Sequence, residues 1–419
     1  MADVLAGVAG VLKNTKVRRR ALIVIANALN NLALPLISPL FSFLVIRFAS
    51  VELWGEFVRV LIVAQLAAHV AGWGNKDYLL REFSLNPARI PQSWQTSLIT
   101  RLALFLAFPV IVGLMGVPAQ RVGLLILCSL GLVLDQAYDV VVLYKRDFAF
   151  ALAVELSGLL LLALPVAWLG ERLSLDLLLA VFGLSNLAKA GIFGLRFRQL
   201  AAPGWQGHFD LAHLRLAFPF FLLGFSGLMQ SKIDLYCVSY FLAEKEIGQY
   251  QVFTNLMIYG QSVSAFILTP FVKSLYRLSY GASLRISAKF FAAGLVVLGF
   301  FLPVTHLALT YLYHLELSPY FLLLGGLFIW PIYFYLPIIY ALFKANQQSA
   351  VIAVNFVGVS VNLLLNLILL PRLGLLGAVM ASAAAQWLMG LVYLIRGQAL
   401  KESEGVTDAL AVSELPPGH

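Results

Sequence analysis

Apolar stretches of about 20 residues follow one another nearly end to end along this chain, separated by short polar turns. A hydrocarbon core about 30 Å thick takes about 20 helical residues to cross, so the pattern predicts membrane-spanning helices. The predicted spans are 21–46, 53–74, 94–116, 119–144, 148–169, 173–197, 214–242, 247–272, 287–311, 319–343, 348–370 and 374–396. Alternating strands of about 10 residues, the mark of a membrane barrel, are absent from the sequence. The expected fold class is therefore an all-α polytopic membrane protein with twelve transmembrane helices.

One stretch, Leu216 to Tyr250, restarts a pattern already used near the N-terminus. Its last fifteen residues, Tyr236 to Tyr250, can be laid on Phe43 to Phe57, FLVIRFASVELWGEF. Val45 then meets Val238, Phe48 meets Phe241, Gly55 meets Gly248 and Phe57 meets Tyr250. A pattern repeated half a chain apart predicts two six-helix lobes in tandem. The expected organisation is a cytoplasmic N-terminal segment (1–20), an N-terminal lobe (21–198), a cytoplasmic linker (199–213), a C-terminal lobe (214–396) and a cytoplasmic tail (397–419), polar and disordered after Lys401.

Composition strengthens this picture. The 419 residues are 61% hydrophobic and 12% charged, whereas about a quarter of a soluble domain is charged. The net charge of +9 does not point to nucleic acid, because the cations follow the loops. Of the 29 Lys and Arg, twenty fall on the side that holds both termini, five on the other and four inside predicted spans. An excess of cations marks the cytoplasmic side, so both termini are expected there. The first residues carry no positive charge ahead of their apolar run, so a secretory signal is not expected there. Cys128 and Cys237 sit alone inside spans and suggest neither a metal site nor a bridge. No GxxxxGK[ST] phosphate loop occurs, which disfavours ATP hydrolysis by this chain. The outward loops are too short for the external platform that a membrane glycosyltransferase uses.

The chemistry lies in charges set within the spans. They are Arg59, Arg101, Lys189 and Lys232, with Asp135, Asp139, Glu155 and Asp234. At roughly 3 kcal/mol each, exposing all eight to lipid would cost on the order of 24 kcal/mol, more than the ~5–15 kcal/mol by which folds are stable. Most must therefore face one another or water. Asp135 and Asp139 are four apart and share a helical face, which requires a proton or a cation between them. Lys232 and Asp234 are two apart, so each needs a partner elsewhere. Arg101, Asp139 and Glu155 lie at comparable depth and suit an ion network. A wet cleft lined by spans one, seven, eight and eleven would attract an anionic substrate to the cations. The acids and His69 are candidates for proton or sodium coupling; no other cofactor and no metal is expected.

At FASVELWGEF (Phe48–Phe57), its counterpart FLAEKEIGQY (Phe241–Tyr250) and LLPRLGLLGAVMASAAAQ (Leu369–Gln386), the chain resembles the polysaccharide-export branch of the multidrug, oligosaccharidyl-lipid and polysaccharide exporter superfamily. It is most similar there to the O-antigen repeat-unit flippases. The resemblance implies two lobes around a central cavity, alternating access, and movement of an undecaprenyl-pyrophosphate-linked oligosaccharide from the inner to the outer leaflet of the bacterial cytoplasmic membrane. It also implies cationic cavity residues, a character matched here by Arg59, Arg101, Lys189 and Lys232, and polysaccharide polymerase machinery as a partner. An ion-coupled exporter of small cations or drugs, and an enzyme or assembly partner acting on the same lipid-linked sugars, are the alternatives.

Overall fold

The computed structural model describes residues 36–114, 119–201, 204–315 and 317–413, and every regular element among them is helical. The chain divides into two compact units, Met1–Leu222 and Leu223–His419. Unit 1 holds α1 (Leu36–Phe48), α2 (Val51–Gly72), α3 (Asn75–Leu85), α4 (Ile90–Phe105), α5 (Ala107–Leu114), α6 (Ala119–Gln136), α7 (Asp139–Lys145), α8 (Phe148–Leu169) and α9 (Leu175–Arg196). Helix α10 (Leu211–Phe241) starts in unit 1 and ends in unit 2. Unit 2 continues with α11 (Glu244–Leu268), α12 (Val272–Leu275), α13 (Tyr280–Leu307), α14 (Pro319–Ile329), α15 (Pro331–Lys344), α16 (Gln348–Leu373) and α17 (Leu375–Ser413).

Among the described residues, nine helical segments are long and apolar enough to cross a membrane. The other three expected spans are helical as well. Helix α1 is the described part of span 21–46, residues 21–35 lying outside the described set. Span 94–116 falls on α4 and α5, broken at Leu106, and span 247–272 on α11, which carries Gln251, Asn255 and Gln261 among its apolar residues.

The structure corrects two expectations. Asp135 and Asp139 do not ride on one regular helix, because α6 stops at Gln136 and α7 starts at Asp139. Helix α17 also runs on to Ser413 instead of ending near the predicted membrane edge. No proline interrupts 402–413, and Glu402, Glu404, Ala409, Leu410 and Ala411 are helix formers, so the tail keeps helix-forming residues past the last apolar turn.

The tandem repeat is visible residue by residue. Position 43 maps on 236, an offset of 193, and the helix breaks at Ala49–Ser50 and again at Leu242–Ala243. Ala49 N–H donates to Val45 O at 2.9 Å, and Leu242 N–H donates to Val238 O at 3.0 Å. Thirteen of the fifteen paired positions share one exposure class, including the buried pairs Val45 and Val238, Gly55 and Gly248, and Phe57 and Tyr250. The caps differ in chemistry. Ser50 Oγ accepts the Leu53 N–H at 3.1 Å, whereas Glu246 Oε2 reaches back to the Ala243 N–H at 3.2 Å. Each satisfies an amide left over at a helix start.

A second stretch repeats at an offset of 200. Helices α8 and α16 start at 148 and 348, and α9 and α17 at 175 and 375. The turns before α8 and α16 hold Arg146 and Asn346 in the left-handed region, at φ 58° and 57°. The hydrogen bond from Asp147 N–H to Val142 O recurs from Gln347 N–H to Leu342 O, at 3.2 and 2.9 Å. Buried residues on α8 recur at 151, 154, 158, 162 and 166, and on α16 at 351, 354, 358, 362 and 366. That spacing is a single helical face. The two apolar cores keep the same register, with Ala151, Val154 and Phe193 in one and Val351, Val354 and Tyr393 in the other.

Candidate functional site

In unit 1 the packing of α6, α8 and α9 brings three charges together. The Lys189 ammonium donates to Asp135 Oδ2 at 2.8 Å and to both carboxylate oxygens of Glu155 at 3.1 Å. Gly158 makes the approach possible, since a Cβ there would stand 2.7 Å from the Lys189 Cδ. The lysine stem therefore lies across the bare backbone of α8. Only 11% of the Lys189 side chain is exposed, and 12% of that of Asp135. Asp135 Oδ1 is buried and accepts no hydrogen bond. Two carboxylates against one ammonium leave the cluster one negative charge in excess when all three are ionised. Such a group is held by mutual pairing, because removing one member leaves an uncompensated charge out of water.

Unit 2 carries a different arrangement. Asp234 on α10 is 4% exposed, and its Oδ2 accepts from the Tyr250 hydroxyl at 2.7 Å and the Ser382 hydroxyl at 3.0 Å. Its Oδ1 accepts the Leu235 N–H at 2.8 Å. Asn362 donates to Ser382 Oγ at 3.4 Å, and Asn366 donates in turn to Asn362. Asn362 and Asn366 of α16 are both buried, and their amide N–H groups donate within unit 2. Asp234 makes no ion pair with any described residue. Hydroxyl and amide donors alone solvate it, an arrangement that suits a charge entering and leaving rather than a fixed salt bridge.

The remaining sequence candidates separate by environment. Arg101 on α4 is 3% exposed, lies against Gly72 of α2, and makes no hydrogen bond or ion pair with any described residue. Lys232 on α10 is half-buried and likewise has no hydrogen-bond acceptor or ion-pair partner among the described residues. Arg59 and His69 are half-buried on α2, with the His69 ring 6.0 Å from that of Phe221. Asp139 is at a surface, its side chain 48% exposed and 3.8 Å from Lys76. The acids and cations expected to form one network therefore fall into a closed cluster around Lys189, a surface pair at Asp139, and cations left open at Arg101 and Lys232.

Sequence reasoning passed over Tyr250 and Ser382 as partners of Asp234. The repeat contained a signal for the first. Where the N-terminal copy has Phe57, the C-terminal copy has Tyr250, a hydroxyl added at a fully buried position.

The fold is similar to two solved structures. Lipid II flippase MurJ in an inward closed conformation matches with a TM-score of 0.65 and 13% identity, over 95% of this chain and 94% of that one. The inward-facing conformation of a multidrug resistance MATE family transporter of the MOP superfamily matches with a TM-score of 0.64 and 14% identity, over 90% of this chain and 98% of that one. No family model matches the sequence, and no curated protein is similar to it. At such identities the likeness defines the fold: twelve helices in two six-helix lobes, shared by a lipid flippase and a drug transporter.

Proposed function

We propose that this protein is a flippase that moves an undecaprenyl-pyrophosphate-linked oligosaccharide repeat unit from the inner to the outer leaflet of the bacterial cytoplasmic membrane by alternating access. The observation that carries the reading is the pair of cations at membrane depth, Arg101 and Lys232, that have no acceptor among the described residues. A cation kept out of water without a partner gains from an anion delivered to it, and a pyrophosphate is the anion that a lipid-linked sugar carries. Arg59, on α2, is a further candidate cation. Lys189, already saturated by two carboxylates, contributes by holding its surroundings polar. The fold shared with a lipid II flippase supports the same class of substrate. Both termini are assigned to the cytoplasm on the cation distribution, and polysaccharide polymerase machinery is the expected consumer of the product.

Asp234, with donors and no ion pair, is the best-placed acid for proton or sodium coupling, ahead of Asp135, Glu155, Asp139 and His69. The same carboxylate favours the second reading, an ion-coupled exporter of small cations or drugs, and the likeness in fold to a multidrug resistance transporter supports it. Reconstitution in liposomes with a labelled polyprenyl-pyrophosphate glycan separates them. The flippase exchanges the glycan between leaflets, and Lys232→Ala lowers that rate at least tenfold while the variant inserts and melts as the wild type does. Efflux of a cationic dye with no glycan movement would replace the first reading by the second.

A further inference from the structure

Beside the Lys189 cluster, and wholly within unit 1, lies a cavity of about 200 Å³. Its wall has two chemistries. Phe41, Trp54 and Phe182 supply aromatic surface, while Gln65, Glu155, Asn186 and Lys189 supply amide, carboxylate and ammonium groups. The aromatic group is rigidly packed. Phe41 meets Trp54 edge-on at 5.6 Å and stacks on Phe182 at 6.3 Å. The polar group retains capacity. Gln65 makes no hydrogen bond with any described residue, and the Asn186 amide has donated one hydrogen, to Phe182 O at 2.9 Å. Each Glu155 oxygen accepts one bond from Lys189 and keeps a lone pair for another.

We infer that this cavity binds one pyranose ring of the transported glycan. The ligand must be flat and apolar on one side to lie on aromatic rings, and must bear both donors and acceptors around its edge to serve a carboxylate and two amides. A pyranose has both properties. A drug-like aromatic cation would use the rings and the carboxylate but leave the amides unserved, at a cost for each buried polar group. Size limits the occupant to one ring. Pockets that enclose drug-sized ligands run to ~300–1,000 Å³, and an apolar cavity of about 150 Å³ takes benzene.

The repeat supplies an independent indication that this lining is particular to unit 1. At offsets of 193 and 200 the counterparts of Phe41, Trp54, Phe182 and Lys189 are Asp234, Ile247, Ser382 and Met389. No aromatic platform stands there, and the polar groups bond one another through Asp234. At these matched positions the same backbone thus carries aromatic and charged lining in unit 1 and a hydrogen-bonded carboxylate site in unit 2.

The inference rests on the lipid-linked glycan reading and is tested apart from it. Full-length protein in phospholipid nanodiscs is titrated with D-glucose, D-galactose, L-rhamnose and N-acetyl-D-glucosamine, and saturation-transfer NMR reads the bound sugar. At least one sugar should saturate in the millimolar range. Gln65→Leu, which removes the free amide, and Leu61→Phe, which puts a larger side chain at a residue lining the cavity, should each weaken binding at least tenfold with unchanged melting. Binding of none of the four sugars, or equal binding by both variants, overturns the inference. Glycan-lipid exchange in liposomes is measured on the same preparations. Sugar binding without lipid exchange in the wild type would remove the flippase reading and keep the cavity assignment. Lipid exchange undiminished in Gln65→Leu would remove the cavity assignment and keep the flippase.

Discussion

Positions 135, 155 and 189 of unit 1 and positions 335, 355 and 389 of unit 2 occupy the same places in the repeat, yet one set is ionic and the other neutral. Unit 1 has Asp135, Glu155 and Lys189, joined by charge-assisted hydrogen bonds. Unit 2 has Tyr335, Asn355 and Met389. There the Tyr335 hydroxyl donates to Gln386 Oε1 at 2.6 Å and the Tyr393 hydroxyl to Asn355 Oδ1 at 3.2 Å. The glycine beneath is common to both. Gly158 admits the Lys189 stem and Gly358 the Met389 side chain, whose Sδ would collide with an added Cβ. One long unbranched side chain crossing a glycine is therefore the shared structural requirement, and charge is an addition to it.

Nearer the first break the pattern is reversed. Phe41, Phe57 and Phe182 of unit 1 form an aromatic group with centroids 5.3 to 6.3 Å apart. Their counterparts in unit 2 are Asp234, Tyr250 and Ser382, which form the hydrogen-bonded carboxylate site. Each copy thus places ionisable chemistry at one level and neutral packing at the other, and the levels are exchanged. A scaffold that tolerates either filling does not need the charges for folding. Their retention at two inequivalent levels favours a role in transport.

Substituting unit 1 with the residues of unit 2 tests that conclusion most severely. Lys189→Met alone strands two carboxylates and should lower stability by about 3–5 kcal/mol, seen as a large drop in the melting temperature of the detergent-solubilised protein. The triple variant Asp135→Tyr, Glu155→Asn and Lys189→Met should recover most of that loss. A triple variant no more stable than the single one would mean that the two scaffolds are not interchangeable. At the other level, Asp234→Ala leaves two buried hydroxyls without their acceptor and should cost about 2 kcal/mol or more. Asp234→Asn keeps the accepting oxygen and should cost under about 1 kcal/mol, while abolishing any dependence of transport on an ion gradient. Equal stabilities for the two variants would show that the carboxylate site is not held by those hydrogen bonds. The smallest effect is expected from Tyr335→Phe, which removes the bond to Gln386 and should cost about 1 kcal/mol by the same melting measurement.

Much of this was legible in the chain. Hydropathy located helices at every predicted span within the described residues, because a run of about 20 apolar residues has few folds open to it in a bilayer. The overlay of Phe43–Phe57 on Tyr236–Tyr250 survived into matching breaks, hydrogen bonds and burial. The longer repeat at an offset of 200 was not visible, since Lys against Met or Asp against Tyr shares no chemistry and only backbone register unites them. The expected network of Arg101, Asp139 and Glu155 was not legible either. Helical depth ranks residues along the membrane normal but does not say which helix faces which, and the partner of Glu155 proved to be Lys189.

Composition and periodicity by themselves determined that this is a helical membrane protein in two copies of one pattern, with a handful of costly charges inside it. Which charge met which, where a glycine let a lysine through, and which side chains came to line the cavity beside Lys189 were decided only by tertiary packing. The physical reason is that burial of apolar surface acts on averages over many residues and is readable from any stretch of them. An ion pair or a hydrogen bond depends on a few tenths of an ångström between residues that can lie 34 to 148 positions apart.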